Sequence, residues 1–329
     1  MNRTVTLAIA RVPGAVALAS LATLASAAEA DFPVKPIRLI IPFAAGSATD
    51  VSARLFGTEL SRQMGQPVVA DNRAGAGGAI GMQALAAGAP DGYVIGYAGP
   101  GPLAINPALT PNLPYNVARD FQPVSQAVEA ALVLAVTASL PARDVKGLIA
   151  LARKRPGELS NASAGTGTIG DLAGEYFKMM TGTRILHVPY KGGAQAASDV
   201  MAGHVQLMFD PLTGVGTHIL SGRLRALAVT GKKRLAAFPE VPTVDESGVP
   251  GFEVTTWGGI LAPAGLPGPI LSRLNAEMQR AVRSPMVVER YGALGAVPVA
   301  GTPEQFTQLI RSETAKWAKV IAFAQANNR

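Results

Sequence analysis

The sequence has no cysteine, only three histidines, and few aromatic and charged residues, at 5% and 16% of its 329 positions. The lack of cysteine excludes disulfides, thiolate metal sites, iron–sulfur clusters and cysteine nucleophiles. The histidines, His187, His204 and His218, are too far apart in sequence to predict a metal site or a catalytic pair. Walker A, zinc-protease and Gly-x-Ser-x-Gly patterns are also absent. We therefore expect no bound metal, no cofactor and no enzymatic activity.

Acidic residues are the minority charge, with 22 Asp and Glu against 29 Lys and Arg, which gives a net charge of +7 and a pI near 9.8. Nucleic-acid binding needs basic residues clustered on one face. Here they are scattered, in short runs such as 153–155 and 232–234, without interleaved aromatics. The charge pattern favours small anionic ligands and argues against nucleic acid.

Long apolar runs are absent after residue 30, and the one before it is short. The first 11 residues carry two arginines and no acid, an apolar stretch covers 12–24, and small residues suitable for cleavage precede the bonds after Ala27 and Ala30. A stretch of about 13 residues falls short of the roughly 20 that span a membrane. Residues 1–30 are therefore predicted to be a secretory signal peptide, which places the mature protein in the periplasm.

The rest of the chain alternates between strand-like and helix-like segments, which predicts an α/β fold with parallel strand pairs and right-handed crossovers. The expected strands are 36–43, 67–71, 93–98, 131–137, 159–163, 185–189, 205–210, 224–230 and 257–262. The expected helices include 51–64, 82–87, 145–152, 270–282 and 306–324. The last two helices have no strand partners of their own, so they must pack on the sheet already built, with Trp317 in the core.

The pattern of strands and helices restarts near residue 131 without a disordered linker, which predicts two lobes. We expect lobe 1 to comprise 31–130 and 254–329, lobe 2 to comprise 131–253, and a ligand cleft to lie between them. The chain then crosses between lobes near 128–133 and 251–258. Paired crossovers of this kind act as hinges for closure around a ligand.

Three loops at predicted strand ends are suited to an anion, because ligands of open α/β sheets bind at these ends. They are 44–50, 72–78 and 164–171. In the first, Ser47 and Asp50 have the spacing of a capping box at a helix start, and Thr168 and Asp171 repeat it in the third. The second is rich in glycine, which permits close backbone approach. Helix starts offer free N–H groups and a positive dipole end to an anion.

A dinucleotide fingerprint is matched only formally, by Gly165, Gly167 and Gly170. The fingerprint requires an acidic residue at the end of the next strand, and residues 187–193 contain none. We therefore expect no nicotinamide cofactor.

At these same loops the sequence resembles the periplasmic substrate-binding proteins of tripartite tricarboxylate transporters, also called Bug receptors. The resemblance extends over essentially the whole mature chain. Its most specific segments are Pro42-Phe43-Ala44-Ala45-Gly46 with Thr49-Asp50, Asp71-Asn72-Arg73 with Gly75-Ala76-Gly77-Gly78, Leu172-Ala173-Gly174-Glu175, His187-Val188-Pro189-Tyr190-Lys191-Gly192, and Val241-Pro242-Thr243-Val244.

The resemblance implies a two-lobed periplasmic-binding-protein fold of type II-like architecture, each lobe a mostly parallel sheet flanked by helices. It implies a monomer that closes on a small carboxylate, holding it through backbone groups and bridging waters, and that delivers it to membrane permease subunits. The ligand contacts that it implies are Phe43, Ala44, Gly46, Ser47, Thr49, Asp50, Asn72, Gly75, Gly77, Gly78, Gly167, Thr168, Asp171 and Asp210.

Two positions depart from the family pattern. Ser47 stands where members often have glycine, and Asp171 stands where they often have a histidine. Either Asp171 only caps its helix, or its charge enters the cleft and selects an amino, amide or monocarboxylate ligand in place of a citrate-like one.

The sequence thus predicts a non-enzymatic receptor that captures a small organic acid, or its amide or amino derivative, for a tripartite tricarboxylate-type transporter. Two alternatives remain open. One is a receptor for a membrane sensor such as a histidine kinase, and the other is a secreted α/β enzyme, for which the sequence supplies no nucleophile and base.

Overall fold

A computed structural model describes residues 32–293 and 295–327. The predicted signal peptide lies outside the described residues. Within them, no helix is both long enough and apolar enough to cross a membrane.

The chain begins with a three-stranded parallel unit. Its elements are β1 (Ile37–Ile41), α1 (Ala48–Met64), β2 (Val68–Asn72), α2 (Ala79–Ala86) and β3 (Val94–Ala98). The β-branched residues of β1 suit a central strand, which pairs in parallel with β2 and β3. α1 ends at Gly65, which adopts the left-handed conformation and returns its N–H to the carbonyl of Ser61.

A long strand leads out of this unit. A π-helical turn at Gly101–Ile105 and two one-turn helices, α3 (Asn106–Leu109) and α4 (Val117–Asp120), precede β4 (Phe121–Thr137). β4 has 17 residues and is almost entirely buried. Its first part, up to Ala131, pairs antiparallel with a later strand, and its second part, from Leu132, pairs with two others.

The second unit repeats the alternation. Its elements are α5 (Val145–Lys154), β5 (Ser160–Ser163), α6 (Ile169–Thr181), β6 (Leu186–Pro189), α7 (Gly193–Ala202), β7 (Leu207–Pro211), α8 (Leu212–Leu220) and β8 (Leu224–Val229). β5 lies between β6 and β7 and is parallel to both. β7 and β8 flank the second part of β4 and run antiparallel to it.

The chain then returns to the first unit. Its elements are β9 (Thr255–Pro263), α9 (Gly268–Ala281), α10 (Pro285–Ala293), β10 (Val297–Pro298) and α11 (Pro303–Asn327). β9 lies between β3 and the first part of β4 and is antiparallel to both. The strand order is β2-β1-β3-β9-β4-β7-β5-β6, with β8 and β10 also paired to β4. The predicted α/β fold is confirmed.

β4 thus belongs to two half-sheets. The first half-sheet contains β1, β2, β3, β9, β10 and the first part of β4, and the second contains β5 to β8 and the rest of β4. One hydrophobic cluster lies wholly in the first half and another wholly in the second. The largest cluster crosses between them, where Tyr176 of α6 packs edge-on against the fully buried Trp317 of α11. The prediction that Trp317 is a core residue is confirmed.

The expectation that the strand begins at residue 131 is wrong by ten residues, because β4 begins at Phe121. Its first part carries Gln122, Pro123 and Gln126, which do not form an apolar strand pattern. The pairing with β9 shifts register on both sides of Ser125, so bulges accommodate the proline within a buried strand.

Candidate functional site

The loop that joins β1 to α1 ends in a side-chain cap with the spacing of a capping box. The Ser47 hydroxyl accepts a hydrogen bond from the N–H of Asp50 at 3.2 Å, and the Asp50 carboxylate accepts one from the N–H of Gly46 at 2.8 Å. Helix geometry leaves the N–H groups of Ala48 and Thr49 without acceptors inside the helix. The helix start therefore offers these donors to an anion.

Asp50 also ties this loop to β2. Its Oδ1 accepts hydrogen bonds from Asn72 and Arg54, both at 2.8 Å, and Asn72 donates as well to the carbonyl of Phe43 at 2.9 Å. Burial by itself raises the pKa of the Asp50 carboxyl, but the hydrogen bonds that it accepts outweigh burial and lower the pKa below 3.8. Asp50 is 3% exposed, and its hydrogen-bond partners all lie in the first half of the molecule.

The glycine-rich loop after β2 folds against the same place. Gly75, Gly77 and Gly78 have positive φ, at 130°, 62° and 93°, which glycine adopts without strain, and Ala76 between them also has a positive φ, at 48°. A Cβ at Gly78 would lie 3.4 Å from the Phe43 ring. The loop is pinned by Asn106, which donates to the carbonyl of Gly77 at 2.9 Å.

The loop that joins β5 to α6 repeats the geometry of the first. Thr168 caps α6, and the Asp171 carboxylate accepts a hydrogen bond from the N–H of Gly167 at 2.8 Å, the same distance as between Asp50 and Gly46. The N–H groups of Ile169 and Gly170 are left without intrahelical acceptors. The β1–α1 and β5–α6 loops thus each carry a capped helix start with free donors.

Behind this second loop lies a line of polar groups that sequence reasoning missed. The Ser163 hydroxyl lies 2.7 Å from Nε2 of His187, and Nδ1 of His187 lies 3.3 Å from Oδ1 of Asp171. Serine hydrolases use this order of groups. Here, however, Ser163 is 2% exposed and its hydroxyl is also bonded to the backbone of Gly165, so it is not presented to a substrate. The contacts among Ser163, His187 and Asp171 hold the loop between β5 and α6 in place.

Asp210 lies at the end of β7, beside the start of α7. A Cβ at Gly193 would lie 3.5 Å from its Oδ1. Burial raises the pKa of the Asp210 carboxyl to about 6. Asp210 therefore takes up a proton at a higher pH than an ordinary aspartate does, and its protonated form can donate a hydrogen bond.

The predicted site residues thus gather in three places. The first-half group contains Phe43, Ala44, Gly46, Ser47, Thr49, Asp50, Asn72, Gly75, Gly77 and Gly78. Gly167, Thr168 and Asp171 form the second group, and Asp210 is the third place. Across the described ranges, no hydrogen bond joins the first group to the others. The halves do approach each other at Gly167, where a Cβ would lie 3.2 Å from Leu109.

Two cavities were found near these elements. One of about 330 Å³ lies between α1 and β2 and is lined by none of the predicted site residues. The other, of about 570 Å³, is lined by Gly167, Asp171 and His187 together with Leu109 and residues of α6 and α11. The described residues contain no group of three side chains that could hold a metal ion.

Known proteins resemble the chain over nearly its full length. It is 42% identical to a UPF0065 protein in the tcbD-tcbE intergenic region of Pseudomonas sp. strain P51, over 96% of this chain and 95% of that protein. It is 40% identical to protein BugT of Bordetella pertussis, over 91% and 93%.

Solved structures also resemble the chain over most of its length. A protein of R. palustris solved with adipate is 37% identical, with a TM-score of 0.75 over 89% of this chain and 98% of that one. MatC of Rhodopseudomonas palustris, solved with bound malate, is 31% identical, with a TM-score of 0.71 over 88% and 100%. The periplasmic binding protein BugD is 33% identical, with a TM-score of 0.71 over 89% and 99%.

The two half-sheets joined through β4, each with a donor-rich helix start, define a solute-binding receptor of the periplasmic-binding-protein fold. Residues 52–325 match the tripartite tricarboxylate transporter family receptor. The chain belongs to this family, as the sequence motifs predicted. Its relatives are binding receptors, so the protein is a receptor and not an enzyme.

Proposed function

We propose that this receptor binds a small carboxylate between two lobes in the periplasm and delivers it to the membrane subunits of a tripartite tricarboxylate-type transporter. The observation that carries the proposal is the matched pair of capped helix starts, at Ser47–Asp50 and Thr168–Asp171. In each, an aspartate holds the loop and free N–H groups remain. Two positive helix ends suit a ligand with negative charge.

The lobes that we propose are 31–130 with 254–329, and 131–253. β4 supports this division because its pairing partners change between Ala131 and Leu132. The return crossing precedes β9, which starts at Thr255. Two extended crossings side by side allow the lobes to rotate about them while each keeps its own core.

The substrate class is supported by relatives solved with adipate and malate, which are both small dicarboxylates. The periplasmic location is supported by the leader-like sequence of residues 1–30 and by the periplasmic relative BugD. The transporter partner is supported by the family to which the chain belongs.

The site residues divide into two roles in this proposal. Asp50 holds the first loop in place because its hydrogen bonds are made within the first half. The ligand contacts that we propose on the first lobe are Phe43, Ala44, Gly46, Ser47, Thr49, Asn72, Gly75, Gly77 and Gly78. On the second lobe they are Gly167, Thr168, Asp171 and Asp210.

A thermal-shift screen of the purified mature chain against mono- and dicarboxylates, their amides and amino acids tests the proposal. We expect at least one carboxylate to raise the melting temperature, because a ligand at 100 times its dissociation constant adds about 2.7 kcal/mol to the stability of the folded state. Matched alcohols that lack the carboxylate should give no shift. A panel in which no carboxylate shifts the transition would contradict the proposed function.

A further inference from the structure

Asp210 is a partly buried carboxylate for which the described residues supply no partner. It lies in β7, one residue before the end of the strand. Burial accounts for its raised pKa, and neither a hydrogen bond nor a neighbouring charge contributes to it. Neither oxygen is among the enclosed side-chain atoms that lack a hydrogen-bond partner, so both remain accessible. A ligand can therefore reach this carboxyl group.

The starts of two helices flank Asp210 and leave its carboxyl group uncovered. A Cβ at Gly193, the first residue of α7, would lie 3.5 Å from Oδ1. A Cβ at Gly214, in the first turn of α8, would lie 1.9 Å from Oδ2. The N-cap residues of these helices, Gly192 and Pro211, make no side-chain cap. Asp210 therefore lies beside two helix starts whose first N–H groups have no intrahelical acceptors.

The same edge of the sheet carries the capped start of α6. Phe209, the residue before Asp210, packs against Phe177 of α6, whereas Asp210 turns to the opposite face, toward α7 and α8. A Cβ at Gly170, in the first turn of α6, would lie 2.4 Å from the carbonyl oxygen of Phe209. Because β7 ends here, the starts of α6, α7 and α8 meet at one edge. A carboxylate held by helix N–H groups at this edge lies close to the carboxyl group of Asp210.

The other titratable groups near this edge are engaged or do not act on Asp210. They are Asp171 of α6, His187 of β6, Tyr190 and Lys191 before α7, Asp199 of α7 and His218 of α8. Asp171 is bonded to His187, Asp199 to Tyr190, and His218 to Arg223. The stretch of β4 that pairs with β7, Leu132–Val136, carries no titratable side chain. Asp210 is therefore the group that responds most directly to a charge that arrives with a ligand.

We propose that Asp210 takes up a proton from solvent when a ligand carboxylate binds at the helix starts of the second lobe, so that capture is coupled to proton uptake. The proposal rests on the proposed function, which brings the carboxylate to this edge. Two carboxylates in one site do not both remain ionised, because each raises the proton affinity of the other. At a separation of about 6 Å and a dielectric constant of about 20 the effect is about a hundredfold, so direct contact is not required. Protonated Asp210 also becomes a donor, which its charged form is not.

Calorimetric titration with malate and with adipate, in two buffers that differ in ionisation enthalpy, counts the protons taken up on binding. Near pH 7 we expect uptake of about 0.5 to 1 proton per bound dicarboxylate, because Asp210 is mostly ionised in the free protein and mostly protonated in the complex. The affinity should fall about fivefold or more between about pH 6 and about pH 8.

The possible results separate this proposal from the proposed function. Binding without proton uptake would overturn the coupling and leave the carboxylate receptor intact. Proton release, with tighter binding at the higher pH, would also overturn it, because that sign requires Asp210 to stay ionised and accept a donor from the ligand. If neither dicarboxylate binds at any pH in this range, the proposed function fails for both and the coupling fails with it.

Asp210→Asn assigns the proton, because the amide has nearly the same shape and stays neutral at every pH of the experiment. Proton uptake should fall below about 0.2 per bound ligand, and the affinity should stay within about twofold from about pH 6 to about pH 8. Asp199→Asn is the matched control and should keep the wild-type uptake, since Asp199 lies in α7 and is bonded to Tyr190. If Asp210→Asn does not fold, judged by its melting curve, Asp210→Ser replaces it with the same expectation. Uptake that persists in the neutral variant would assign the proton to another group, such as His187, and overturn the proposal.

Discussion

Gly170→Ala is expected to destabilise the protein by about 1–3 kcal/mol, although replacing glycine by alanine within a helix is usually favourable. Gly170 lies in the first turn of α6, and a Cβ there would lie 2.4 Å from the carbonyl oxygen of Phe209 in β7. A backbone oxygen cannot rotate away as a side chain can, so the start of α6 must move off the sheet. The same movement displaces the free N–H donors of the second loop. We therefore expect carboxylate affinity to fall by about tenfold or more, which corresponds to about 1.4 kcal/mol of lost interaction.

Denaturant unfolding and calorimetry measure the two effects. Gly292→Ala is the matched control, because Gly292 lies in α10 with nothing within 4 Å of the added Cβ. That variant should be neutral or more stable by up to about 1 kcal/mol. A Gly170→Ala protein as stable as the control, with unchanged affinity, would show that the contact between α6 and β7 does not position the site.

Asp50→Asn is expected to cost about 2–4 kcal/mol of stability at pH 7, because one amide nitrogen would face groups that are themselves donors. Asp50 accepts hydrogen bonds from the N–H of Gly46, from Arg54 and from Asn72, and all three must lose or rearrange a charge-assisted bond. Because these bonds shape the first loop, carboxylate affinity should also decrease. Chemical denaturation of both proteins, followed by titration with the best carboxylate of the screen, measures both changes.

The difference in unfolding free energy between wild type and Asp50→Asn should become smaller as the pH is lowered. The pKa of Asp50 is lower in the folded protein than its ordinary value of 3.8. Its stabilising effect is therefore fully present well above pH 3.8 and is lost as the pH falls through the lowered folded-state pKa. Asp144→Asn is the control, since Asp144 is an exposed cap of α5 and asparagine caps a helix about as well as aspartate. If Asp50→Asn is as stable as Asp144→Asn at pH 7, Asp50 does not hold the β1–α1 loop in place.

Local sequence signals predicted most of the fold. β1 and α1 were evident because an apolar β-branched run is followed by a capping box, and the helix stops before Gln66 and Pro67. The first part of β4 was missed because its burial comes from neighbours distant in sequence. Its partner β9 lies more than 120 residues further along the chain, and no local sequence pattern predicts that pairing.

The sequence predicted which loops form the site, but it did not predict most of the individual side-chain contacts within it. The capping spacing located both helix starts, but it did not reveal that Asp50 would bond to Asn72, which is brought close by the parallel pairing of β1 and β2. His187 reaches Asp171 and Ser163 only because β5 and β6 lie side by side.

Asp171 illustrates the same limit. From the sequence it could either cap α6 or turn its charge into the cleft. Asp171 is 4% exposed and its carboxylate is bonded to Gly167 and His187, which favours capping, and it still lines the larger cavity.

The most direct test of the central claim, that a small carboxylate binds between two lobes and draws them together, is a distance measurement between spin labels on the two halves. The chain has no cysteine, so labels attach only at Val69→Cys in β2 and Leu220→Cys in α8, whose native residues are 53% and 77% exposed. Adipate, or the carboxylate with the largest thermal shift, should change the distribution of label distances at saturation, toward a single narrower population. Identical distributions with and without that ligand, at an occupancy verified by calorimetry, would contradict the account.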